Sequence, residues 1–481
     1  MAVGMALGVG SAMAADFNAG CCADLDERIA ELEVMTARKG TRNVSLTISG
    51  LVNRIVLHVD DGKGGYTYYG LESANFNSRF GFRGEAMISS AAKVGFEIVI
   101  RTGAGGGNSG STSQLDEDGK INSVICPSNC ASFNAHNDDP YFGSAQTLMW
   151  WIESELGRLT VGRGQVAGVQ AYIDLTGFQM YLVASPSFVL LNGGFFIRGP
   201  SGQYYSMVWG NIGDPAAGFA RSETVRYDSP TWNGFIYSAS IAEAGDYWGT
   251  MIRYAGDHRG FRVAGQVGYE RSTDIATPAI IDPTGSAFTG RRPDVTAWGF
   301  AISTMHNPTG LFVQSHYNAA DYGGAIIGAP SGYWGEGTQH KKPGSYWLVQ
   351  GGISKNWFNY GRTTVYGEYG MANDWGADFT NATGTTFGRD YTTAGFMPVR
   401  GVTETEMTVW GFGIAQDIDA ANITLYAGYR HFSSDIVCTD HVAAATCSGG
   451  VAVGAAAGTF TTHKLVTEGA DVILMGTRVR F

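Results

Sequence analysis

From Gly40 onward the chain alternates between apolar and polar positions with a period of two. In residues 79–88, Phe80, Phe82, Gly84, Ala86 and Ile88 share one face, and Arg79, Gly81, Arg83, Glu85 and Met87 share the other. In residues 94–101, Val94, Phe96, Ile98 and Ile100 oppose Gly95, Glu97, Val99 and Arg101. Near the end, Ile473, Met475, Thr477, Val479 and Phe481 oppose Leu474, Gly476, Arg478 and Arg480. Successive side chains of a strand point to opposite faces, so this pattern predicts sheet with one apolar and one polar surface. About sixteen such segments follow one another: 44–58, 79–90, 92–103, 146–154, 157–163, 222–229, 233–243, 247–256, 260–271, 296–305, 310–318, 345–355, 362–372, 407–416, 422–431 and 470–481. Short turns and long loops join them alternately.

A soluble sandwich shows the same alternation with its apolar face turned inward. Three features favour a barrel with lipid outside. The even strand number suits a single-chain membrane barrel. Aromatic pairs such as Trp150-Trp151, Tyr204-Tyr205, Tyr247-Trp248 and Trp357-Phe358 fall near strand ends, as interfacial girdles would, and the last strand ends on Phe481. An arginine facing lipid at the bilayer midplane costs about 2–4 kcal/mol. Arg79, Arg83, Arg101, Arg478 and Arg480 are therefore expected to look into a wet interior or to sit at an interface. The expected fold is all-β and transmembrane: an antiparallel β-barrel of about sixteen strands over residues 41–481.

One segment breaks the two-residue period. In residues 22–39, Cys22, Leu25, Ile29, Leu32 and Thr36 take the a and d positions of a heptad, and Gly40 follows as a helix stop. So short a helix is marginal alone in water, which favours a coiled coil between several chains. An amphipathic helix lying on its own barrel is the alternative. In the coiled coil, adjacent Cys21 and Cys22 would be placed to bridge neighbouring chains.

Composition narrows the class further. Charged residues make up 16% of the 481 residues, against about 25% in ordinary soluble proteins, and there are 69 Gly and 13 Pro. No later run of 18 apolar residues exists, so helical spans are excluded. A net charge of -11 gives no basic footprint for nucleic acid. Residues 1–14 read as the apolar core and end of a secretory signal, with Ala12-Met13-Ala14 before a cleavage point and Ala15-Asp16 as the new start. Residues 15–40 are then expected to form a segment outside the membrane, ahead of the barrel, that carries the helix; its compartment would be the periplasm. In an exported chain, Cys126 with Cys130 and Cys438 with Cys447 are disulfide candidates, each closing a surface loop. A metal site with His136 or His441 is the rival reading, although neither spacing matches a standard zinc pattern. Calcium on Asp116-Glu117-Asp118 is a weak prospect, since the complete ligand-loop pattern is missing.

The stretches DLDERIAELE, ARKGTRNVSLTISGLVNR, NSRFGFRGEA, WWIESELGRLTVGR, RYDSPTWNGF and the final TRVRF resemble the porins of alphaproteobacteria, in particular the branch with a short coiled-coil segment before the first strand. The resemblance covers both ends and the first half of the chain. Residues 270–460 join it only through their pattern. It implies a sixteen-stranded barrel in the bacterial outer membrane, usually a homotrimer, that passes ions and small polar solutes without energy input. It also implies a third loop folded into the lumen, here residues 164–218, with Asp174 its clearest early acid. Residues 178–191 are strongly apolar for such a loop, so part of it is expected to pack on the wall or against a neighbouring subunit. In some relatives the N-terminus is joined to peptidoglycan, which would fall on Ala15.

The constriction expected from these residues is a transverse field. Arg79, Arg83, Arg101, Arg158 and Arg163 would face Asp174 and Asp214, with Glu85 and Glu97 nearby on the wall; each taken singly could equally be one half of a structural ion pair. A channel specific for sugar or phosphate is the main alternative, and an envelope protein closed by residues 164–218 is another. An enzyme is disfavoured, because His58, His136, His258, His306 and His316 fall in no hydrolase motif.

Overall fold

The computed structural model describes residues 45–481 apart from 74, 102–144, 170–171, 186–194, 214–220, 243–244, 274, 277–279, 282–286, 289–290, 293, 324–340, 376, 378–388, 392–396, 398, 440–449 and 456–460. The heptad segment, Ala15, Cys21, Cys22, Leu25, Ile29 and Leu32 therefore lie outside the described residues. So do Cys126, Cys130, Cys447, His136, His441, Asp214 and the acidic run at 116–118.

Sixteen antiparallel strands form the wall: β1 (Ser45–Asp60), β2 (Arg79–Ser89), β3 (Ala92–Arg101), β4 (Ala145–Ser154), β5 (Gly157–Gln165), β6 (Arg221–Asp228), β7 (Phe235–Ala242), β8 (Tyr247–His258), β9 (Phe261–Ser272), β10 (Asp294–His306), β11 (Leu311–Gly323), β12 (Lys341–Lys355), β13 (Thr363–Asn373), β14 (Val399–Ile418), β15 (Ile423–Thr439) and β16 (Ala470–Arg480). All sixteen segments expected from the pattern are present. The largest departures are β14 and β15, which each run eight residues further at the loop end than alternation alone suggested.

Consecutive strands pair, and β1 closes the circle. Its first half pairs with β2, from Ser45 opposite Glu85 to Leu51 opposite Arg79. Its second half pairs with β16, from Leu51 opposite Arg480 to Asp60 opposite Asp471. Phe481 completes the seam: its N–H donates to the carbonyl of Gly50 at 2.9 Å and its carbonyl accepts from the Gly50 N–H at 2.9 Å. The phenyl ring lies where a side chain on residue 50 would project, so a larger residue there would have to push the ring aside.

Short turns cap one end. The two-residue turn between β8 and β9 is Arg259-Gly260, with φ of 48° and 87°. Two successive positive φ values match the right-handed twist of the flanking strands, and glycine takes the second without a Cβ clash.

Energy sorts the faces as expected. Outward positions carry large exposed apolar groups, among them Ile252, Phe300, Val313, Phe412 and Met475. Soluble monomers rarely expose contiguous apolar patches of this extent. Trp248, Tyr269, Trp298, Tyr317, Trp347, Tyr369, Trp410 and Tyr429 form one belt across β8–β15. Tyr269 is opposite Trp298, Tyr317 opposite Trp347, and Tyr369 opposite Trp410. Trp–Tyr ring centroids within the hairpins lie 5.0–5.5 Å apart. Of the sequence-named aromatic pairs, Trp150 and Trp248 do point outward, and Trp357 and Phe358 lie exposed in a turn. Tyr204-Tyr205 is buried in the hairpin of Phe196–Arg198 with Tyr204–Val208, inside the barrel rather than in a girdle. No helix among the described residues is long and apolar enough to cross a membrane.

Candidate pore constriction

The loop after β5 enters the lumen along a track of glycines. Gly249 on β8, Gly268 on β9 and Gly299 on β10 face inward, and a Cβ on each would collide with Ala167, Gly168 or Val169 respectively. Without those side chains the loop backbone lies directly on the sheet. Ser240 Oγ accepts the Ala167 N–H at 2.8 Å, Tyr247 donates to the Ala167 carbonyl at 3.0 Å, and Glu270 accepts the Val169 N–H at 3.0 Å.

The loop then descends the far wall. Tyr172 stacks on His316 of β11 at 4.8 Å and accepts from Gln314 at 3.1 Å. A one-and-a-half-turn helix, α1 (Gln179–Ala184), lies at the bottom. Gln179 donates to the carbonyl of Arg362 at 2.9 Å and accepts from Thr364. Arg362 donates to the carbonyl of Leu175 at 3.2 Å. Arg362 immediately precedes β13 at the short-turn rim, so the loop reaches from one rim of the lumen to the other. Three further carbonyls are held: Leu182 by Asn75 at 3.0 Å, Ala184 by Gln350 at 2.7 Å, and Ser185 by Arg430 at 2.8 Å.

Apolar packing explains the route. Ile173, Phe178, Leu182, Val183, Phe195, Ile197, Met207 and Trp209 pack with inward-facing Tyr346, Leu348, Tyr366, Met407, Val409, Tyr426 and Phe432 in one buried cluster. The apolar stretch beginning at 178 thus covers the wall of β12–β15, one of the two fates expected for it. A buried ion pair anchors it: Arg430 donates to Glu368 at 2.6 and 2.9 Å, and Gln350 donates to the same carboxylate at 2.8 Å. At the loop end, Arg198 donates to Asp61 at 2.9 Å and Tyr205 to the carbonyl of Val466 at 3.0 Å. Burial and neighbouring acidic or phenolic groups push the hydroxyl pKa of Tyr172 and of Tyr204 well above the ordinary tyrosine value.

The opposite wall, β2–β8, carries the charge. Arg83 donates to Glu85 at 2.7 Å, and its guanidinium lies 5.0 Å from the Trp151 ring, which Arg158 approaches at 4.3 Å from β5. Glu97 is opposite Arg83. Arg226 and Arg253 both donate to Asp228, at 2.8 and 2.5 Å. Neither arginine was singled out from sequence, although Arg226 has the parity of Ser222 and Thr224, opposite to exposed Val225 and Tyr227.

This wall is also low. Arg79, the first residue of β2, is opposite Leu51, less than halfway along β1, and opposite Arg101, the last residue of β3. By register Arg163 near the end of β5 and Arg221 at the start of β6 share the outward face of exposed Leu159 and Val225, Arg163 being opposite Leu148 and Glu223. The crest is level with α1. Arg79 lies 3.7 Å over Phe76, which meets Phe178 at 4.3 Å and Tyr181 at 5.9 Å.

Asp174 is placed differently from the sequence expectation. Its Oδ1 accepts the Thr176 N–H at 2.7 Å and the Thr176 hydroxyl at 2.6 Å, and its Oδ2 accepts the Tyr181 N–H at 3.2 Å. It is 1% exposed and shapes the entry to α1. Cys438 is buried near the loop end of β15, opposite Val402 and His463. Among the described residues no group of three or more His, Cys, Asp or Glu is placed to hold a metal ion.

No curated protein matches the sequence. Solved structures similar to this chain include in-vitro folded OmpT, an outer membrane protein of Vibrio cholerae (10% identity, 93% of this chain and 100% of that one, TM-score 0.49). An anion-selective porin from Comamonas acidovorans is 14% identical over 91% and 100% of the two chains, with a TM-score of 0.46. Salmonella typhi OmpF in complex with daunomycin is 10% identical over 92% and 99%, with a TM-score of 0.44. The sequence itself matches the Gram-negative porin family over residues 2–437. With its closed sixteen-stranded wall and lipid-facing belt, the chain belongs to the Gram-negative porin family and is an outer-membrane channel.

Proposed function

We propose that the channel is a general diffusion porin, allowing passive passage of ions and small hydrophilic solutes through a charged constriction. The observation that carries this reading is the division of the lumen. One wall is packed dry by the third loop, and the other presents Arg79, Arg83, Arg101 and Arg158 with Glu85 and Glu97 among them. Such a wall orients polar solutes, while an apolar solute must forgo ordered water. Arg163 falls on the outward face by register, opposite exposed Leu148. Asp214 remains a candidate for the acidic side. Asp174 serves that side only indirectly, by shaping the loop.

In this reading the functional unit is a homotrimer whose N-termini lie in the periplasm. The heptad positions Cys22, Leu25, Ile29 and Leu32 join into a coiled coil there, and Ala15 is available for linkage to peptidoglycan. Cys126 with Cys130 and Cys438 with Cys447 close outer loops as disulfides. Liposome swelling tests the main claim: rates should fall smoothly with solute size and be indifferent to chemical type among neutral sugars. Saturable uptake of one sugar or of phosphate alone would replace this reading with that of a specific channel.

A further inference from the structure

We propose that the short-turn rim beside β1 is the seat of the chain's own N-terminal helix, residues 22–39, which docks there while its heptad seam stays free for neighbouring subunits. This inference rests on the periplasmic coiled-coil reading and adds the surface that holds the helix to the barrel.

β1 begins at Ser45, opposite Glu85. Just beyond Glu85, where β2 reaches the short-turn rim, Met87 and Ile88 are 65% and 61% exposed. β3 and β4 bring the next turn alongside, with Ala92 opposite Ser154, and that turn carries Leu156, 81% exposed. The turn is fixed: Ser154 Oγ accepts the Leu156 N–H at 3.2 Å, and Tyr227 donates to the Leu156 carbonyl at 2.7 Å. Between the tips, Lys93 stands opposite both Met87 and Glu153 and pairs with the carboxylate at 3.3 Å, so the charges there satisfy each other.

Elsewhere on the same rim the turns expose aromatic groups, Trp232 between β6 and β7 and Trp357 and Tyr360 between β12 and β13. An indole or phenol joins an apolar body to a polar tip, which suits the lipid–water interface. Methionine, isoleucine and leucine have no polar tip, and at that level they call for a protein surface rather than headgroups.

Chain length selects the occupant. Residues 40–44 link the helix to Ser45, and five residues span at most about 18 Å. Met87 lies two residues past the partner of Ser45, roughly 7 Å along the strand. The last turns of the helix are therefore tethered within reach of the patch. Away from the heptad seam, Ala30, Val34 and Ala37 share one face at i, i+4 and i+7, flanked by Glu27, Glu31 and Glu33. They span about 10 Å along the helix, close to the two strand spacings, about 10 Å, that separate β2 from β4. Such small side chains let the helix lie close, with Met87 and Leu156 packed across it.

Photocrosslinking of the full-length oligomer in isolated outer membranes tests this, with Leu156→p-benzoylphenylalanine as the probe. The expected product joins residue 156 to residues 30–37 by peptide mass spectrometry and runs as a monomer on reducing denaturing gels; Val34→Glu should abolish it. Amide hydrogen exchange supplies a second readout. Leu156→Glu should speed exchange at residues 30–37 by at least about tenfold while conductance stays at the wild-type level. Crosslinks only to lipid, to other segments or to a second chain, or unchanged exchange in Leu156→Glu, would overturn the docking and leave the coiled coil and the pore standing. Unprotected amides throughout residues 22–39 of the wild type would overturn docking and helix together. Absence of wild-type conductance would count against the pore alone.

Discussion

Replacing Arg430 by methionine probes what holds the third loop against the wall. The Arg430 and Glu368 side chains are 2% and 0% exposed and share two hydrogen bonds of 2.6 and 2.9 Å. Deleting one member of such a pair leaves a buried uncompensated charge and costs about 3–5 kcal/mol. The lost donor to the Ser185 carbonyl adds about 1–3 kcal/mol if water does not replace it. Arg430→Met and Glu368→Leu should therefore each destabilise the barrel by several kcal/mol. The double variant removes both charges together and should recover most of the loss, because buried pairs can be exchanged for apolar groups at little cost. It should stay about 1–3 kcal/mol below wild type, since the Ser185 carbonyl is still without its donor. Urea unfolding in lipid vesicles, followed by tryptophan fluorescence, supplies the double-mutant cycle. Current noise supplies a second readout, because a loosened α1 should make open-channel current fluctuate in all three variants. Single-variant losses within about 1 kcal/mol of zero, or losses that simply add in the double variant, would refute the clamp.

Two further outcomes follow from the wall and the loop. Ile252, on β8, is 47% exposed and faces lipid, whereas its neighbour Arg253 is 1% exposed and bonded to Asp228. Ile252→Arg should cost about 2–4 kcal/mol in the same vesicle titration if it lies near the midplane; a neutral result would contradict the assignment of faces. Tyr172 and Tyr204 keep their protons in the folded protein to a higher pH than in the unfolded chain. Their contribution is fully present below about pH 10, and stability should fall as pH rises beyond it, because the unfolded chain then gives up protons that the folded one retains. Tyr172→Phe should flatten that decline, and an unchanged alkaline slope would count against the burial argument.

The sequence by itself determined the wall. Lipid on one side and water on the other impose a period of two, so Phe80 against Arg79, or Val479 against Arg478, reports its own face without knowledge of any neighbour. The same local rule marked all sixteen strands and the closing Phe481. It also indicated that residues from 178 onward were too apolar for an ordinary solvated loop. Which wall they would cover was not legible. The track of Gly249, Gly268 and Gly299 gathers positions from three strands, and each reads singly as one more glycine in a glycine-rich chain.

Only the tertiary structure decided the roles within the lumen. Asp174 turned inward to its own loop, and Tyr204-Tyr205 moved from an expected girdle to the interior. Arg226 and Arg253 met on Asp228, and Arg430 found Glu368 sixty-two positions away in sequence. These outcomes depend on register, on the height at which each strand stops, and on which segments become neighbours across the barrel. Solvent acts on each residue separately and so leaves its mark in local pattern. Pairing between distant charges is a property of the closed sheet and exists only once β1 has met β16.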